Sequence, residues 1–503
     1  MMQRAKGRSG GPGRLVGIVG QGGIVGLVGL VGLVGLVGLA SCSDSGGGDA
    51  DTGGDADADT DADTDGDTDG DTDSDTDADG DCGAIATFGD GVAPTAFVHV
   101  AVDGSDDDGD GSAGSPYATI ERAAADAVPG TAIVVHEGTY AGDQYLEGLA
   151  GAEGAPIWIG GADGEARPVL AGGGEGLHLT RPAWLVIHDL EVTGATANGI
   201  NCDDGGEYAD ESAAHHVIFR GLHVHDVGAG GNEDCLKLSG LNDYLVLDSE
   251  MTACGGGGSG SGIDHVGCHR GLIARNLLHD LSGNAVQCKG GSEDIEVRWN
   301  TLVDAGERGV NMGGSTGLEY FRPPLSTTAP NFEARDVRVV ANVIVGGVAA
   351  LAFVGCVECA AVNNTIVDPE NWIFRILQET TTTGEHEFLP CGDGLVQNNL
   401  VTFAAGGIST HVNVGPDVAA ETFAFTTNLW YAHDEPGSST PELPAAEAGG
   451  IHGEDPLLDG EWGIPSGSPA CHAGTPWPGL VGDLHGACWS DPPSIGAREL
   501  PGD

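Results

Sequence analysis

Runs of small or aliphatic residues recur along the second half of the chain, each followed by Asn and two more apolar residues. The closest repeats are 24 residues (276 to 300) and 22 residues (342 to 364) apart. A repeat of this length indicates a solenoid, and strand-forming residues with Asn at a fixed turn position favour a β-solenoid. We expect amide ladders between coils at Asn276, Asn300, Asn342, Asn364, Asn399 and Asn428.

The residues before this repeat have the pattern of an end cap. Residues 97–102 alternate like a strand, a short amphipathic helix begins near Ser115 and ends near Gly130, and residues 131–136 form a buried strand pattern. Taken in order, these segments resemble the N-terminal capping segment of right-handed parallel β-helix proteins. Residues 455–458, 468–470 and 494–499 resemble the closing segments of the same family.

This resemblance spans residues 97 to 499. It implies an all-β, right-handed parallel β-helix with an N-terminal capping helix, because a solenoid must cover the bare edge of its last coil. The family includes pectate, alginate and chondroitin lyases, and also hydrolases, epimerases and inert adhesins. The resemblance is therefore much more specific for fold than for activity.

The first 41 residues have the composition of an export signal. Four basic residues precede a run of Leu, Val, Ile and Gly over residues 15–40. The sequence Leu39-Ala40-Ser41-Cys42 resembles the bacterial lipobox, which implies that Cys42 is lipidated. We expect an exported protein that contacts a membrane only through this anchor, at the outer membrane or cell surface. An uncleaved membrane span is the alternative.

Residues 42–82 carry Asp at every odd position from 55 to 81. Such a segment has little apolar surface to bury and repels itself, so we predict a disordered linker between the anchor and a folded domain at 83–503. Weak calcium binding is the alternative interpretation of its Asp-x-Asp pattern.

The folded domain is itself acidic. Of 19 basic and 76 acidic residues, four basic residues lie in the signal and 17 Asp lie in 43–82, which leaves 15 − 59 = −44 for residues 83–503. Nucleic acid is therefore not expected as a partner, and a polyanionic sugar would be repelled unless cations bridge it. We expect a monomer that acts on an extracellular polysaccharide.

Only two lysines follow Lys6, and both lie on predicted strands with their side chains facing outward. Stacked coils place both lysines in one outward stripe. Its members are Asn201, Asp203, Asp234, Lys237, Asp264, Gln287, Lys289, Arg308, Asn311 and Arg375. Such a stripe suits β-elimination of a uronate polymer. A base removes the proton next to the sugar carboxylate while a cation neutralises that carboxylate. We predict Lys237 or Lys289 as the base and Arg308 as an electrostatic partner.

Residues 232–240 resemble the acidic-then-lysine motif of β-helix alginate and chondroitin lyases. The resemblance implies bound calcium and Lys237 as the base, although the acid-to-lysine spacing is shorter here and Asp264-His265 replaces the family's Arg-His. Lys289 with Arg308 is the alternative pair. Two adjacent coils offer the candidate calcium ligands, namely Asn201, Asp203, Asp204, Glu233 and Asp234.

Two insertions, 313–332 and 379–390, interrupt the repeat, and long loops on a rigid scaffold often carry function. Aromatic side chains there could stack on sugar rings. We predict five substrate-binding residues on the first insertion and the stripe: Gln287, Asn311, Tyr320, Arg322 and Arg375.

Other interpretations stay open. The coils could form a non-catalytic adhesin or carbohydrate-binding stalk, and residues 201–204 faintly resemble β-helix polygalacturonases, which use paired carboxylates. His223 and His225 share an outward face, but we interpret them as polar surface because no third ligand is fixed to them. Among the cysteines, we expect Cys471 to pair with Cys488 in an oxidising compartment.

Overall fold

A computed structural model describes residues 82–228 and 230–500. The predicted signal at 1–41, the predicted lipidation site Cys42 and the predicted linker up to residue 81 lie outside the described residues. The described chain coils into a right-handed parallel β-helix with three parallel sheets, which confirms the predicted fold. No helix in this part of the chain is long and apolar enough to cross a membrane.

The described strands form sheets of fourteen, ten and twelve strands, and each coil contributes to all three in turn over most of the length. The fourteen-stranded sheet contains Ala96–Val100, Thr131–Val135, Ile157–Gly161, Ala183–His188, His215–Arg220, Asn242–Leu247, His269–Ala274, Ser292–Arg298, Ala334–Val340, Cys356–Val357, Ala360–Val362, Leu395–Gln397, Ala424–Thr426 and Glu447–Ala448. The ten-stranded sheet contains Gln144–Glu147, Leu177–Thr180, Ile200–Asp203, Leu236–Ser239, Ile263–Val266, Val286–Lys289, Arg308–Gly313, Ala349–Val354, Trp372–Leu377 and Thr410–Val414. The twelve-stranded sheet contains Thr139–Ala141, Val169–Ala171, Glu191–Thr193, His223–Val227, Glu250–Cys254, Leu277–Leu281, Thr301–Ala305, Val343–Val345, Thr365–Val367, Leu400–Phe403, Leu429–Ala432 and Ile451–His452.

The predicted capping helix is present but shorter than the span from Ser115 to Gly130, since it covers only Ile120–Ala124. The Thr119 hydroxyl accepts a hydrogen bond from the Arg122 N–H at 3.1 Å and so satisfies a free donor at the helix start. Ile120 and Ala123 face the core and are fully buried. Three short 3-10 helices complete the described secondary structure: Leu318–Tyr320, Ala420–Thr422 and Pro436–Ser438.

In many of the described strands, side chains alternate between the core and the outer surface. In the strand Leu236–Ser239, both leucines are fully buried, whereas Lys237 and Ser239 face outward. Because neighbouring coils pair in parallel register, residues at equal positions stack above one another. An outward row on one sheet therefore brings together residues that are far apart in the sequence.

The predicted asparagine ladder is present and fully buried. Asn276 donates to Asn300 at 2.9 Å, Asn300 to Asn342 at 2.9 Å and Asn342 to Asn364 at 3.0 Å. The series continues through Asn399 and Asn428 with distances of 2.9 Å. Residues just before these asparagines adopt positive φ, such as 52° at Ala341, so the chain turns sharply where each amide enters the core.

Disulfide pairing differs from the prediction at one cysteine. Cys488 is joined to Cys82 across 406 residues, and not to Cys471. The expected pairing assumed a local loop, but the C-terminal segment instead runs back along the outside of the coils. There it packs on an apolar strip that includes Trp299, whose indole N–H donates to the Gly482 carbonyl at 2.8 Å. Two further described disulfides are short-range, Cys235–Cys254 and Cys356–Cys359.

Cys82→Ser is expected to loosen this C-terminal segment while the coils stay folded. The segment is held by half-buried side chains such as Trp477 and Trp489, and without the covalent link its detachment no longer has to move Cys82 with it. Limited chymotrypsin digestion of the native protein should cut near these two tryptophans faster in the variant than in the wild type. Equal cleavage rates would show that packing alone holds the segment.

Candidate functional site

The ten-stranded sheet carries the predicted polar stripe on its outer face. In consecutive coils Asn201 stacks on Lys237, Lys237 on Asp264, and Asp264 on Gln287. The same row continues to Asn311 and, after Ala352, to Arg375. Lys289 lies two residues beyond Gln287, in the next outward row. The register therefore gathers on one surface side chains that span most of the repeat.

The two lysines converge on one buried carboxylate. Asp264 is only 1% exposed, and its carboxylate contacts the Lys237 ammonium directly and lies 3.3 Å from the Lys289 ammonium. Lys237 also lies 3.4 Å from the carboxylate of Asp234, which is likewise 1% exposed. Both lysine side chains remain partly exposed to solvent, Lys237 at 17% and Lys289 at 13%. Two cations and two carboxylates thus form one half-open cluster.

Burial and charge set the protonation states in this cluster. Burial alone would lower the pKa of Lys237, but Asp264 and Asp234 raise it, and the net shift is upward. Burial likewise acts to raise the pKa of Asp264, but the two lysines lower it below its usual range. Burial, followed by repulsion from Asp264, raises the pKa of Asp234 to about 7. Near neutral pH, Lys237 is therefore charged and Asp264 is ionised, whereas Asp234 holds a proton more readily than an ordinary aspartate.

This cluster lies in an open groove of about 600 Å³. The groove is lined by seven of the residues nominated from the sequence: Asn201, Asp203, Asp204, Lys237, Lys289, Tyr320 and Arg322. Its lining also includes Tyr208 and Thr316, which the sequence analysis did not nominate. The groove therefore combines charged groups on its floor with two tyrosines at its side.

The first insertion, residues 313–332, forms the wall because two buried acids hold it. Asp204 binds Arg322 through two contacts of 2.6 and 3.1 Å, and the Arg322 guanidinium stacks 4.1 Å above the Tyr208 ring. Glu333, fully buried, accepts hydrogen bonds from the N–H groups of Gly290 and Thr316 at 2.9 Å. Arg322 is thereby committed to Asp204, and the loop is fixed beside Lys289.

His178 extends the charged floor of the groove by one coil. Its imidazole lies 2.7 Å from Asp203 and 2.7 Å from Glu175. Hydrogen bonding to Asp203, and then to Glu175, raises the pKa of His178 to about 9, so the ring is cationic at neutral pH. The Asn201 side-chain N–H also donates to Asp203 at 3.1 Å.

Among the candidate calcium ligands, the three aspartates each contact a cationic side chain. Asp203 accepts from His178 and Asn201, and Asp204 is paired with Arg322. On the next coil Asp234 faces Lys237 and accepts the Ser261 N–H at 2.7 Å.

Glu233 points elsewhere, because its carboxylate packs against Gly231 in its own turn. Calcium takes six to eight oxygen ligands, and the five candidates do not present such a set. As they are arranged, they do not fit a calcium ion.

The remaining nominated residues lie further along the stripe. Arg308 lies 3.4 Å from Glu379 of the second insertion, and Arg375 stacks 4.2 Å above the Trp372 ring. Burial, and then repulsion from Arg308, lowers the pKa of Arg375. Gln287 is half-buried. Asn311 is fully buried, and neither of its amide atoms has a hydrogen-bond partner.

Sequence reasoning gave no role to His178, Tyr208 or Glu333, and placed Asp264 in the stripe without a function. His178 could have been found from the sequence, because it lies in the preceding coil at the position that pairs with Asn201. Tyr208 and Glu333 lie outside the periodic strands, so no spacing pattern indicates where they point.

Replacing His178 with Gln should lower stability at low pH more than at high pH. The pKa of His178 is raised in the folded protein, so its stabilising contribution is fully present below its unfolded pKa of about 6.5 and lost as pH rises through about 9. Thermal midpoints of both proteins, measured from pH 6 to pH 10, should converge at the alkaline end. A constant difference would mean that the ring acts through packing and not through its charge.

Comparisons with known proteins give similarity in structure alone. No family model matches the chain, and no curated protein matches it. Among solved structures, pectate lyase Pel9A aligns with a TM-score of 0.50 at 15% identity, over 81% of this chain and 97% of that one. The complex of XylC with xylose also aligns with a TM-score of 0.50, at 12% identity, over 81% of this chain and 99% of that one. Similarity at such low identity concerns the fold, and it confirms a right-handed parallel β-helix for this chain.

Proposed function

We propose that this β-helix binds an extracellular polysaccharide in the groove of the ten-stranded sheet and cleaves it by β-elimination at a uronate residue. One observation carries the proposal: the only two lysines after Lys6 converge on one buried carboxylate, Asp264, inside a groove of about 600 Å³. Perturbed titratable groups in a cleft are typical of functional sites. The pectate lyase and XylC alignments are compatible with a carbohydrate substrate.

The groove offers cationic side chains that an acidic sugar can contact. The protein as a whole is strongly acidic, with a formal net charge of −57, so a polyuronate approaches against repulsion. Along the stripe, however, Lys237 and Lys289 project from the floor, and Arg308 and Arg375 follow on later coils. Tyr320, which is 51% exposed at the rim, presents a ring on which a sugar face can stack.

Lys289 is the better candidate for the base. A lysine can accept a proton from the substrate only in its uncharged form. The two carboxylates around Lys237 hold its ammonium group in the charged form. Lys289 has one described carboxylate partner, Asp264, which it shares with Lys237. In this proposal Lys289 removes the proton at C5 of the uronate, and the charged Lys237 neutralises the sugar carboxylate. The C4–O bond then breaks as a double bond forms between C4 and C5, and the leaving oxygen takes up a proton from water.

The proposed cleavage does not require calcium. The candidate ligands Asp203, Asp204 and Asp234 are committed to His178, Arg322 and Lys237, so these acids would have to leave cationic partners to hold the ion. We therefore assign neutralisation of the substrate carboxylate to side-chain cations. Activity that persists in EDTA is the expected result.

A non-catalytic adhesin or carbohydrate-binding protein is the second candidate. The specific observation that favours it is that both lysines are ion-paired with Asp264, an arrangement that suits binding of an acidic sugar better than proton removal. Export to an oxidising compartment, with a lipid anchor at Cys42, suits both candidates. Described disulfides such as Cys82–Cys488 are compatible with that location.

The deciding experiment uses the protein from residue 43 onward, which keeps Cys82, secreted into an oxidising compartment. Alginate, pectate and chondroitin are each supplied with calcium or with EDTA, and absorbance of the unsaturated product is followed. A signal with any polyuronate that is lost in Lys289→Met supports the lyase. Retention of a polyuronate on an affinity gel without any unsaturated product would support the binding protein instead.

A further inference from the structure

A second cluster of ligand-type side chains lies on the twelve-stranded sheet, away from the strands that carry the groove. Glu191 begins one strand, and His223 and His225 belong to the strand stacked on it in the next coil. All three side chains face outward and are partly exposed, at 29%, 26% and 18%. In residues 82–228 and 230–500, these three form the one group of His, Cys, Asp or Glu side chains with three donor atoms close enough to share a metal ion.

The donor atoms of this group are close enough to converge on a single ion. His225 Nε2 lies 3.3 Å from one oxygen of Glu191, and His223 Nδ1 lies 3.9 Å from the other. The two imidazole rings stack with centroids 4.3 Å apart and planes at 24°. One donor atom from each residue can be chosen so that all three lie within 4.8 Å of one another. An ion bound at about 2.0–2.2 Å from each donor needs only small side-chain rotations.

A neighbouring carboxylate orients the key histidine. His225 Nδ1 lies 2.8 Å from the carboxylate of Asp226, so the ring donates its proton there. That hydrogen bond leaves the Nε2 lone pair facing Glu191. Histidines that bind metals almost always donate their other ring N–H to a carboxylate, a carbonyl or water in this way. Asp226 itself is 71% exposed and contributes no ligand in this arrangement.

From this geometry we infer a binding site for one divalent first-row transition-metal ion, with zinc as its typical occupant, held by Glu191, His223 and His225. Two imidazoles and one carboxylate suit zinc and its neighbours in the periodic table, whereas calcium and magnesium prefer oxygen alone. Three protein ligands on an open surface leave a fourth position for water. The ion would join two adjacent coils, and the site is independent of the proposed polysaccharide chemistry.

The next two coils repeat most of this arrangement and lack one ligand. His279 Nε2 lies 3.1 Å from Glu250, and His279 Nδ1 lies 2.7 Å from Asp280. These contacts match those of His225 with Glu191 and Asp226. The position that corresponds to His223 holds Leu277, which stacks directly on Glu250 and is 39% exposed. This second copy therefore has two protein ligands and serves as an internal control.

The test titrates the full chain with zinc in a chelator-buffered solution, with excess magnesium to occupy the many carboxylates. We expect one zinc ion per chain, and at least about a 10-fold loss of affinity in His223→Gln, His225→Gln and Glu191→Gln. His279→Gln should bind zinc like the wild type. With Co²⁺ as the probe, a visible absorption band should appear in the wild type and be lost in His225→Gln.

The sharpest result comes from Leu277→His. Completing the second copy should raise the stoichiometry from one ion to two, at an exposed position where the substitution leaves the core untouched. Equal zinc affinity in the wild type and His223→Gln, or no saturable binding in the wild type, would overturn the proposal. The three side chains would then form only a hydrogen-bonded polar patch.

Discussion

Lys289→Met is expected to lower kcat for polyuronate cleavage by about 10²- to 10⁴-fold, the usual contribution of a general base. The fold should be preserved, because Asp264 keeps Lys237 as its partner when Lys289 is lost. Lys237→Met is a poorer test, because it removes the closest cation from Asp264 and Asp234. A buried carboxylate without its partner costs about 3–5 kcal/mol, so lost activity in that variant would also reflect lost stability.

Lys289→Arg separates the two roles that a lysine can have in this groove. Arginine keeps the positive charge but does not give up its proton, so it replaces an electrostatic partner and not a base. We expect Lys289→Arg to be as inactive as Lys289→Met, with KM close to that of the wild type. Measured kcat and KM for both variants on the best polyuronate provide the check. Activity retained in Lys289→Arg would rule out Lys289 as the base.

Asn342→Ala is expected to cost about 3–5 kcal/mol, at about 1 kcal/mol for each lost hydrogen bond. The Asn342 amide makes five hydrogen bonds. It donates to Asn364, Val297 and Val340, and it accepts from the backbone and side-chain N–H groups of Asn300. Because all of these groups are buried, water does not replace the lost bonds.

The effect of Asn342→Ala should also spread along the solenoid. Each coil touches mainly its neighbours, so a broken ladder weakens the coupling between the coils on either side. Hydrogen exchange should accelerate around Asn300 and Asn364, while the N-terminal coils change little. Asn232→Ala, at an exposed position, is the matched control and should change stability by less than about 0.5 kcal/mol. Equal thermal midpoints for both variants would contradict a stabilising ladder.

The periodic parts of this protein could be predicted from sequence. Asn276, Asn300 and Asn342 recur at one turn position, and that recurrence indicates both the coils and the buried ladder. Alternation along the strands was enough to predict that Lys237 and Lys289 face outward in one stripe. In each case the same local pattern occurs in many coils, so a wrong interpretation of one coil does not change the prediction for the others.

The partners of the charged groups could not be predicted in the same way. Asp204 meets Arg322 across 118 residues, and an irregular insertion decides that contact. The same insertion brings Thr316 to Glu333. Sequence periodicity therefore nominated acids that looked available for a metal, whereas each aspartate among them is paired with a cation, Arg322 from the insertion or His178 and Lys237 from the strands. The cysteine pairing failed for the same reason, since Cys82 and Cys488 meet only because the C-terminal segment folds back.

The Cys82–Cys488 bond also determines how a pulling force would travel through the protein. The bond lies close to both ends of the described chain and spans 406 residues of sequence. Tension applied between the two ends would pass from Cys82 directly to Cys488 and bypass every coil in between. The coils would feel tension only from a ligand held in the groove. Force applied between the two ends would therefore not unfold the coils. Force applied through a polymer bound in the groove would act on the ten-stranded sheet.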